Sequence, residues 1–241
     1  MPIFQVEKIL LTGTSIQGSE QSLKLAQTWK DETKLSNLFC TVGVHPHDAK
    51  TYDDSTSDTI KKIILENPLA VAIGECGLDY NRNFSSKPDQ RHAFREQLII
   101  ACQLQKPIFV HEREAHGELL EIIDGVTSEQ YTLPPIVIHC FTGTEEEALT
   151  YIKRGYYIGF TGTICKKERG APLREFIPKI PLDRIMIETD APFMGFKKGR
   201  RSSEPIDVID VARKLSEVMV IPFEDVCKVT TATADSFFKL K

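Results

Sequence analysis

The sequence predicts an α/β protein of the TIM-like (β/α) barrel class, on three observations. Short apolar runs rich in β-branched residues alternate with helical patterns along the whole chain. Several of these runs are apolar with little alternation, as expected of parallel strands buried on both faces. Polar and ionisable residues recur at their carboxyl ends, the face on which such barrels carry their active sites. The 241 residues suffice for one barrel or two smaller domains. No low-complexity linker or composition shift interrupts them, so a single domain over residues 1–241 is the simplest reading.

Taken in order, strands are expected at Lys8–Thr12, Phe39–Val44, Ala70–Glu75, Ile108–His111, Ile136–Cys140, Tyr157–Phe160 and Ile185–Asp190. Helical patterns fill the gaps, at Glu20–Trp29, Asp58–Glu66, Asp89–Leu104, His116–Ile123, Glu145–Lys153 and Pro205–Val218. Strands alternating with helices in this way point to repeated βαβ units. An open doubly wound sheet would accept the same strands, but no Gly-x-Gly-x-x-Gly turn supports it. Seven strands are visible where a closed barrel has eight. The first begins only a few residues into the chain, so the barrel reads as lacking its amino-terminal strand. Its absence would leave two strand edges that invite self-association.

Composition narrows the function classes. Apolar residues make up 41% and charged residues 27%, as in an ordinary soluble protein. A net charge of −4 argues against a broad basic surface that coats nucleic acid, while leaving room for a local basic cluster at a cleft. No apolar run approaches the roughly 18 residues that span a bilayer, and Met1 to Gln5 lacks the features of a signal peptide. Six scattered cysteines form no Cys-x-x-Cys pair, so neither a disulfide framework nor a zinc knuckle is indicated. The expected compartment is reducing and intracellular, cytoplasmic or nuclear.

The strand ends carry the chemistry. His45 and His47 close the second strand, Glu75 and Asp79 the third, His111 and Arg113 the fourth, His139 the fifth and Asp190 the last. By the two-residue period, His111 and Arg113 point the same way, while Cys76 and Cys140 point opposite to Glu75 and His139. Those cysteines should pack beneath helices. Two histidines and two carboxylates converging on one face make a site for a divalent cation: Zn²⁺ or Mn²⁺ by the mixed donors, Mg²⁺ if oxygen dominates. Such an ion, or a pair about 3.5–4 Å apart, acidifies a water and neutralises charge growing on a phosphoryl group. Glu75 is the candidate for a bridging carboxylate.

Blander readings stand beside these. His45 and His47 flank Pro46 and fit a polar turn equally well, and Glu75 and Asp190 fit structural ion pairs. His92 fits a solvated helix face, and His116 a helix start. After Asp190, the loop Phe193-Met-Gly-Phe-Lys-Lys-Gly-Arg-Arg-Ser-Ser-Glu-Pro205 holds the densest basic run, Lys197, Lys198, Arg200 and Arg201. Charge runs are usually solvated surface, but this one would suit phosphate contacts that give affinity without sequence preference. Lys166, Lys167 and Arg169 extend the same rim.

Five segments in register, Gly43-Val-His-Pro-His47, Gly74-Glu-Cys-Gly-Leu-Asp79, Pro107-Ile-Phe-Val-His-Glu-Arg-Glu-Ala-His116, His139-Cys-Phe-Thr-Gly143 and Ile187-Glu-Thr-Asp-Ala-Pro192, resemble the TatD family of deoxyribonucleases. The resemblance runs from about Glu7 to the carboxyl terminus. It implies a metal-dependent hydrolase that cuts DNA, commonly from the 3′ end, with Mg²⁺ or Mn²⁺ foremost and Zn²⁺ an alternative, as one or two ions. It implies Glu75, His111, His139 and Asp190 as metal ligands, with Asp190 also taking a proton from the attacking water. Arg113 and His47 would orient the phosphate, with His45 beside them. Three departures stand out. The family's first strand and helix, which bring further ligands in many members, are lacking; Glu112 stands where Cys is common; and Ser203 stands where Asn is common. Two other readings remain open: an amidohydrolase-type enzyme acting on a non-nucleic-acid ester or amide, and a truncated, non-catalytic binding form.

Overall fold

In the computed structural model, the structure describes residues 6–32 and 37–240. Met1 to Gln5, expected to carry no signal peptide, lies outside the described residues. The chain divides into two compact units, Glu7–Val137 and the portion from Ile138 onward.

The first unit holds β1 (Lys8–Leu11), α1 (Ile16–Glu32), β2 (Asn37–Val42), α2 (Asp54–Glu66), β3 (Ala70–Asp79), α3 (Lys87–Leu104), β4 (Ile108–Arg113) and α4 (His116–Ser128). β1 pairs with β2, β2 with β3 and β3 with β4, always parallel. All ten residues of β3 are buried, which explains its unbroken apolar start, Ala70-Val-Ala-Ile73. α2 begins where Asp53 and Thr56 form a reciprocal capping box, four residues before the helical pattern becomes apparent in the sequence. α3 starts at the Ser86 cap with Pro88 in its first turn and ends at Gln105 in a left-handed conformation. Of its eight buried residues, six, Gln90, Ala93, Phe94, Gln97, Leu98 and Ala101, follow helical spacing on one face. Two of those six are glutamines, an anomaly in a core stripe that the candidate site explains.

The second unit holds α5 (Glu145–Lys153), β6 (Tyr157–Phe160), α6 (Ala171–Phe176), β7 (Ile185–Ile187), α7 (Val208–Met219) and α8 (Phe223–Phe238), while β5 (Ile136–Ile138) runs across the sequence boundary. β6 and β7 pair in parallel. The core centres on Phe141, whose ring meets those of Tyr151, Phe160 and Phe176 edge-on at 6.2–6.3 Å. Burying each such side chain contributes on the order of 1.5–3 kcal/mol.

Seven strands thus occur among the described residues, each overlapping its expected run. The ends differ for identifiable reasons. β3 runs on to Asp79 because β4 continues to pair with it through Arg113. β5 stops at Ile138, before Cys140 with its positive φ of 47°. α8 escapes the helical pattern because its centre, Val229-Thr-Thr-Ala-Thr233, is poor in helix formers. Burial of Val226, Phe237 and Phe238 holds it instead. No described helix is long and apolar enough to cross a membrane.

Candidate metal centre

Close backbone approach builds the centre in the first unit. At the end of β2, a Cβ on Gly43 would lie 2.6 Å from the Gly74 Cα, so only glycine lets the two strands meet there. Along β3, Gly74 faces Phe109 and Cys76 faces Val110, which leaves Glu75 as the extra residue of a bulge. A bulge re-aims the side chain it carries, and the Glu75 amide leaves the ladder to donate to the Gly13 carbonyl at 2.7 Å. Glu75 and Cys76 are both buried. Gly77 closes the segment with φ 141°, where a Cβ would strike the His111 carbonyl oxygen.

The two buried glutamines of α3 hold the loops that follow. Gln97 accepts from the Val44 amide at 2.8 Å and donates to the Val44 carbonyl at 3.1 Å, clamping the residue before His45. Gln90 accepts from the Asp79 amide at 2.8 Å and donates to the Asp79 and Ser85 carbonyls. A side-chain amide both donates and accepts, so each can satisfy a strand-end peptide that has run out of ladder.

On this frame one atom each of His45, Glu75 and His111 lie within 4.8 Å of one another. Glu75 Oε1 is 2.8 Å from His111 Nδ1 and 3.2 Å from His45 Nε2, and the two nitrogens are 3.2 Å apart. Beside them Asp79, 1% exposed, receives His47 Nε2 at 2.7 Å and His111 Nε2 at 3.4 Å on Oδ2. Its Oδ1 accepts the amides of Asn81 and Arg82 at 3.1 and 2.9 Å. Burial would raise the Asp79 pKa, but the bonds from His111, Arg82 and His47 outweigh it and hold the carboxyl well below the usual carboxylate range. Burial lowers His45, against the pull of Glu75.

These contacts assign the His45 tautomer. His45 Nδ1 accepts the His47 amide at 3.1 Å, so its Nε2 carries the proton and donates to Glu75. His111 makes its hydrogen bond through Nδ1, to Glu75 Oε1 at 2.8 Å, while its Nε2 lies 3.4 Å from Asp79 Oδ2. Two imidazoles and a carboxylate gathered this closely are a donor set that fits a divalent cation, with Asp79 as the carboxylate beside a ligating histidine. His45 is the hydrogen-bond partner of Glu75, although it too lies within ligand distance. Asp79 is absent from the ligand set read from sequence, yet its position at the end of Gly74-Glu-Cys-Gly-Leu-Asp79 was the available signal.

The remaining expected residues fall as follows. Arg113 ends β4 exposed, with no ion pair among the described residues. His92 is exposed on α3, as expected, with its ring 6.0 Å from that of Tyr52. His116 opens α4, where the preceding Ala115 offers no capping side chain. Glu112 accepts the Ala115 amide at 2.8 Å and so supports that turn. Cys76 is fully buried, as expected for packing, and burial pushes its thiol pKa upward.

In the second unit His139 is buried, with Nδ1 3.5 Å from Glu188 Oε2. Glu188 also accepts the Cys140 amide. It is a partner that sequence reasoning passed over, although it stands two residues from Asp190 in the same motif. Asp190 is half-buried in the turn after β7, its carbonyl accepting the Phe193 amide at 2.6 Å. Cys140 is half-buried, its Sγ 3.7 Å from Thr161 Oγ1. The basic run divides. Lys197 bridges Asp207 and Asp210 at 2.8 Å each, and Arg200 binds Glu204 at 2.8 Å and also Asp207. Desolvation opposes ionisation of the buried Asp207, yet Lys197, the Glu204 amide and Arg200 lower its pKa to about 2. Lys198 and Arg201 are exposed, with no ion pair among the described residues. Lys166 is half-buried, and Lys167 and Arg169 are exposed. Ser203 is buried and its hydroxyl donates to the Phe193 carbonyl, so the loop keeps a contact at this departure.

A family model described as "TatD related DNase" matches residues 4–239. A 3'-5' ssDNA/RNA exonuclease TatD from Citrobacter koseri is 46% identical over 216 residues, 88% of this chain and 79% of the relative. Its namesake from Citrobacter rodentium is 39% identical over 238 residues, 97% and 87%. Among solved structures, a TatD family hydrolase from Entamoeba histolytica superposes with a TM-score of 0.85 at 25% identity, covering 96% of this chain and 84% of that one. A TatD homologue from Escherichia coli does so with 0.85 at 25%, covering 98% and 88%. The fold class is the TIM-like (β/α) barrel.

Proposed function

Because the chain belongs to the TatD-related DNase family, we propose that it hydrolyses phosphodiester bonds of single-stranded DNA stepwise from the 3′ end, in a reaction that requires a divalent cation. It is a hydrolase acting on ester bonds. The observation that carries the reading is the cluster of His45, Glu75 and His111, one ligand atom of each within 4.8 Å of the others, with Asp79 beside His111. A divalent cation there would supply an acidified water and offset charge on the phosphoryl oxygens.

The protein's own groups have distinct tasks in this reading. Glu75 and His111 hold the cation, and His45 hydrogen-bonds to Glu75. Arg113 is open to a phosphate oxygen, and His47 orients the phosphate while Asp79 fixes its ring. In the second unit, the roles of His139 as a ligand, and of Asp190 as a ligand and proton acceptor, rest on the resemblance alone. With Lys197 and Arg200 engaged by carboxylates, Lys198 and Arg201 are the members of the basic run available to the nucleic-acid backbone. The mixed donor set favours Mn²⁺ or Mg²⁺, with Zn²⁺ an alternative. All six cysteines are free, which suits a reducing intracellular compartment.

The test is a time course on oligonucleotides labelled at either end, with and without EDTA. Chelation should abolish hydrolysis, and added Mn²⁺ or Mg²⁺ should restore a ladder that shortens from the 3′ end. Hydrolysis that persists after exhaustive chelation would remove the cation from the reaction.

A further inference from the structure

Phe84 is 58% exposed, although it stands one ring away from the His47–Asp79–His111 chain. Its ring meets that of His47 edge-on at 4.7 Å, and His47 lies 6.2 Å from His111 in turn. The Arg82 guanidinium sits 5.9 Å from the Phe84 centroid, and no ion pair engages Arg82 among the described residues. Nearby Tyr80 is spent: its hydroxyl donates to Glu118 at 2.6 Å and Lys87 covers its ring at 3.9 Å. Phe84 is the aromatic ring of this loop left open to solvent.

The loop that presents it is held from both ends. Asp79 Oδ1 takes the Asn81 and Arg82 amides, and Asn83 donates its side-chain amide to the Tyr80 carbonyl at 2.6 Å. Ser85 donates to the His47 carbonyl at 2.8 Å and accepts the Lys50 amide at 3.1 Å, while Gln90 binds the Ser85 carbonyl from below. Ser85 is thus tied to His47 and Gln90, and the Asn83 amide to the Asp79 carbonyl at 3.4 Å, groups that also frame the cation site. An aromatic ring kept in water on a fixed loop forfeits burial that packing would otherwise supply. A π-face fixed in advance beside a cation is what sequence-tolerant binding of single strands uses.

We propose that Phe84 is a stacking platform for a nucleobase next to the scissile phosphate, with Arg82 contacting the adjoining phosphate. This rests on the exonuclease reading and adds a base subsite to it. Stacking on a phenyl face accepts any base, so the subsite gives grip near the cleavage point without sequence preference.

The experiment compares single-stranded oligonucleotides that are intact, or abasic at the 3′-terminal, penultimate or sixth nucleotide from the 3′ end. Initial hydrolysis rates are measured with Mn²⁺ and binding by fluorescence anisotropy in EDTA, for the parent, Phe84→Leu and Phe84→Trp. The parent should lose at least about fivefold in kcat/KM when the base is removed at one of the two end positions, and little at the internal one. Phe84→Leu keeps an apolar bulk without a π-face and should erase that discrimination; Phe84→Trp should retain it. Equal rates on all four substrates by an active parent would overturn the platform and leave the exonuclease reading intact. A parent that neither binds nor cuts any of them would overturn both. Discrimination that survives in Phe84→Leu would overturn the platform alone.

Discussion

Asp79→Asn isolates the geometry on which the cation site depends. The change conserves size but replaces one acceptor oxygen with an NH₂ donor. The amides of Asn81 and Arg82 are fixed by the backbone and need an acceptor, so the Asn oxygen stays with them. The NH₂ then faces His47 Nε2, which must accept in place of donating, and His111 Nε2 at 3.4 Å, which it favours as an acceptor. For His111 this holds the proton on Nδ1, in the 2.8 Å hydrogen bond to Glu75 Oε1 that a cation would have to replace. A divalent ion would have to displace that proton. Losing the carboxylate behind a ligating histidine typically costs 10–100-fold in affinity, about 1.4–2.8 kcal/mol. The 1% exposure of Asp79, its hydrogen bonds with His47, Asn81 and Arg82 and its 3.4 Å contact with His111 place the expected loss near the upper figure. Calorimetric titration of Mn²⁺ into chelator-stripped protein reads the affinity directly, with thermal unfolding run beside it to confirm that the variant folds. A folded Asp79→Asn whose Mn²⁺ Kd stays within about threefold of the parent would show that His111 does not present Nδ1 to a cation through Asp79.

Three further outcomes are expected. Asp190→Asn should lower turnover by at least about a hundredfold with the fold intact, the scale of a lost general base; near-parental turnover in a folded variant would discharge it from that role. Replacing Lys198 and Arg201 with Ala should flatten the salt dependence of oligonucleotide binding by about 1.4 in log–log slope if each meets one phosphate, and an unaltered slope would return both to ordinary surface. Asp207 has a folded pKa lowered to about 2 from 3.8, so its ion pairs stabilise the protein above about pH 4 and lose that contribution as pH falls toward 2. Urea midpoints of the parent and Asp207→Asn should therefore converge through that window, and parallel curves down to pH 2 would contradict the assignment.

The fold was legible where one level of structure sufficed. Unbroken apolar runs such as Ala70–Ile73 and Tyr157–Phe160 are strands because parallel pairing covers both faces, and the α5 boundaries follow from a Thr144–Glu147 capping box beside a short apolar pattern. It was less legible where distant residues decide. Thr-rich α8 is helical through the burial of Val226, Phe237 and Phe238, which propensity opposes. α1 extends four residues before its expected start, to Ile16, through a Gly-Ser stretch whose local composition favours a turn.

The site divides along the same line. Glu75, His111, His45 and His47 were visible because strand-end position and residue type are properties of each segment alone. What each histidine does was not visible, because it depends on which nitrogen bears the proton, and neighbours from other segments set that. The His47 amide makes His45 Nε2 a donor, and His111 meets Glu75 through Nδ1 while Asp79 accepts from His47. The bulge that turns Glu75 inward is equally non-local: it exists because β4 pairs with β3 on both sides of Glu75 while Gly13 draws the Glu75 amide away. Gln90 and Gln97 supply the counterpart. Polar residues at core positions of an otherwise apolar stripe cost stability unless their bonds are made, so their presence in α3 is itself a sign that the loops above it must be held still. The same reasoning makes the basic loop legible only in part. Four cations in five residues read alike in sequence, but the buried Asp207 engages Lys197 and Arg200, and such pairs hold the shape of the loop while Lys198 and Arg201 stay exposed, outside any ion pair among the described residues.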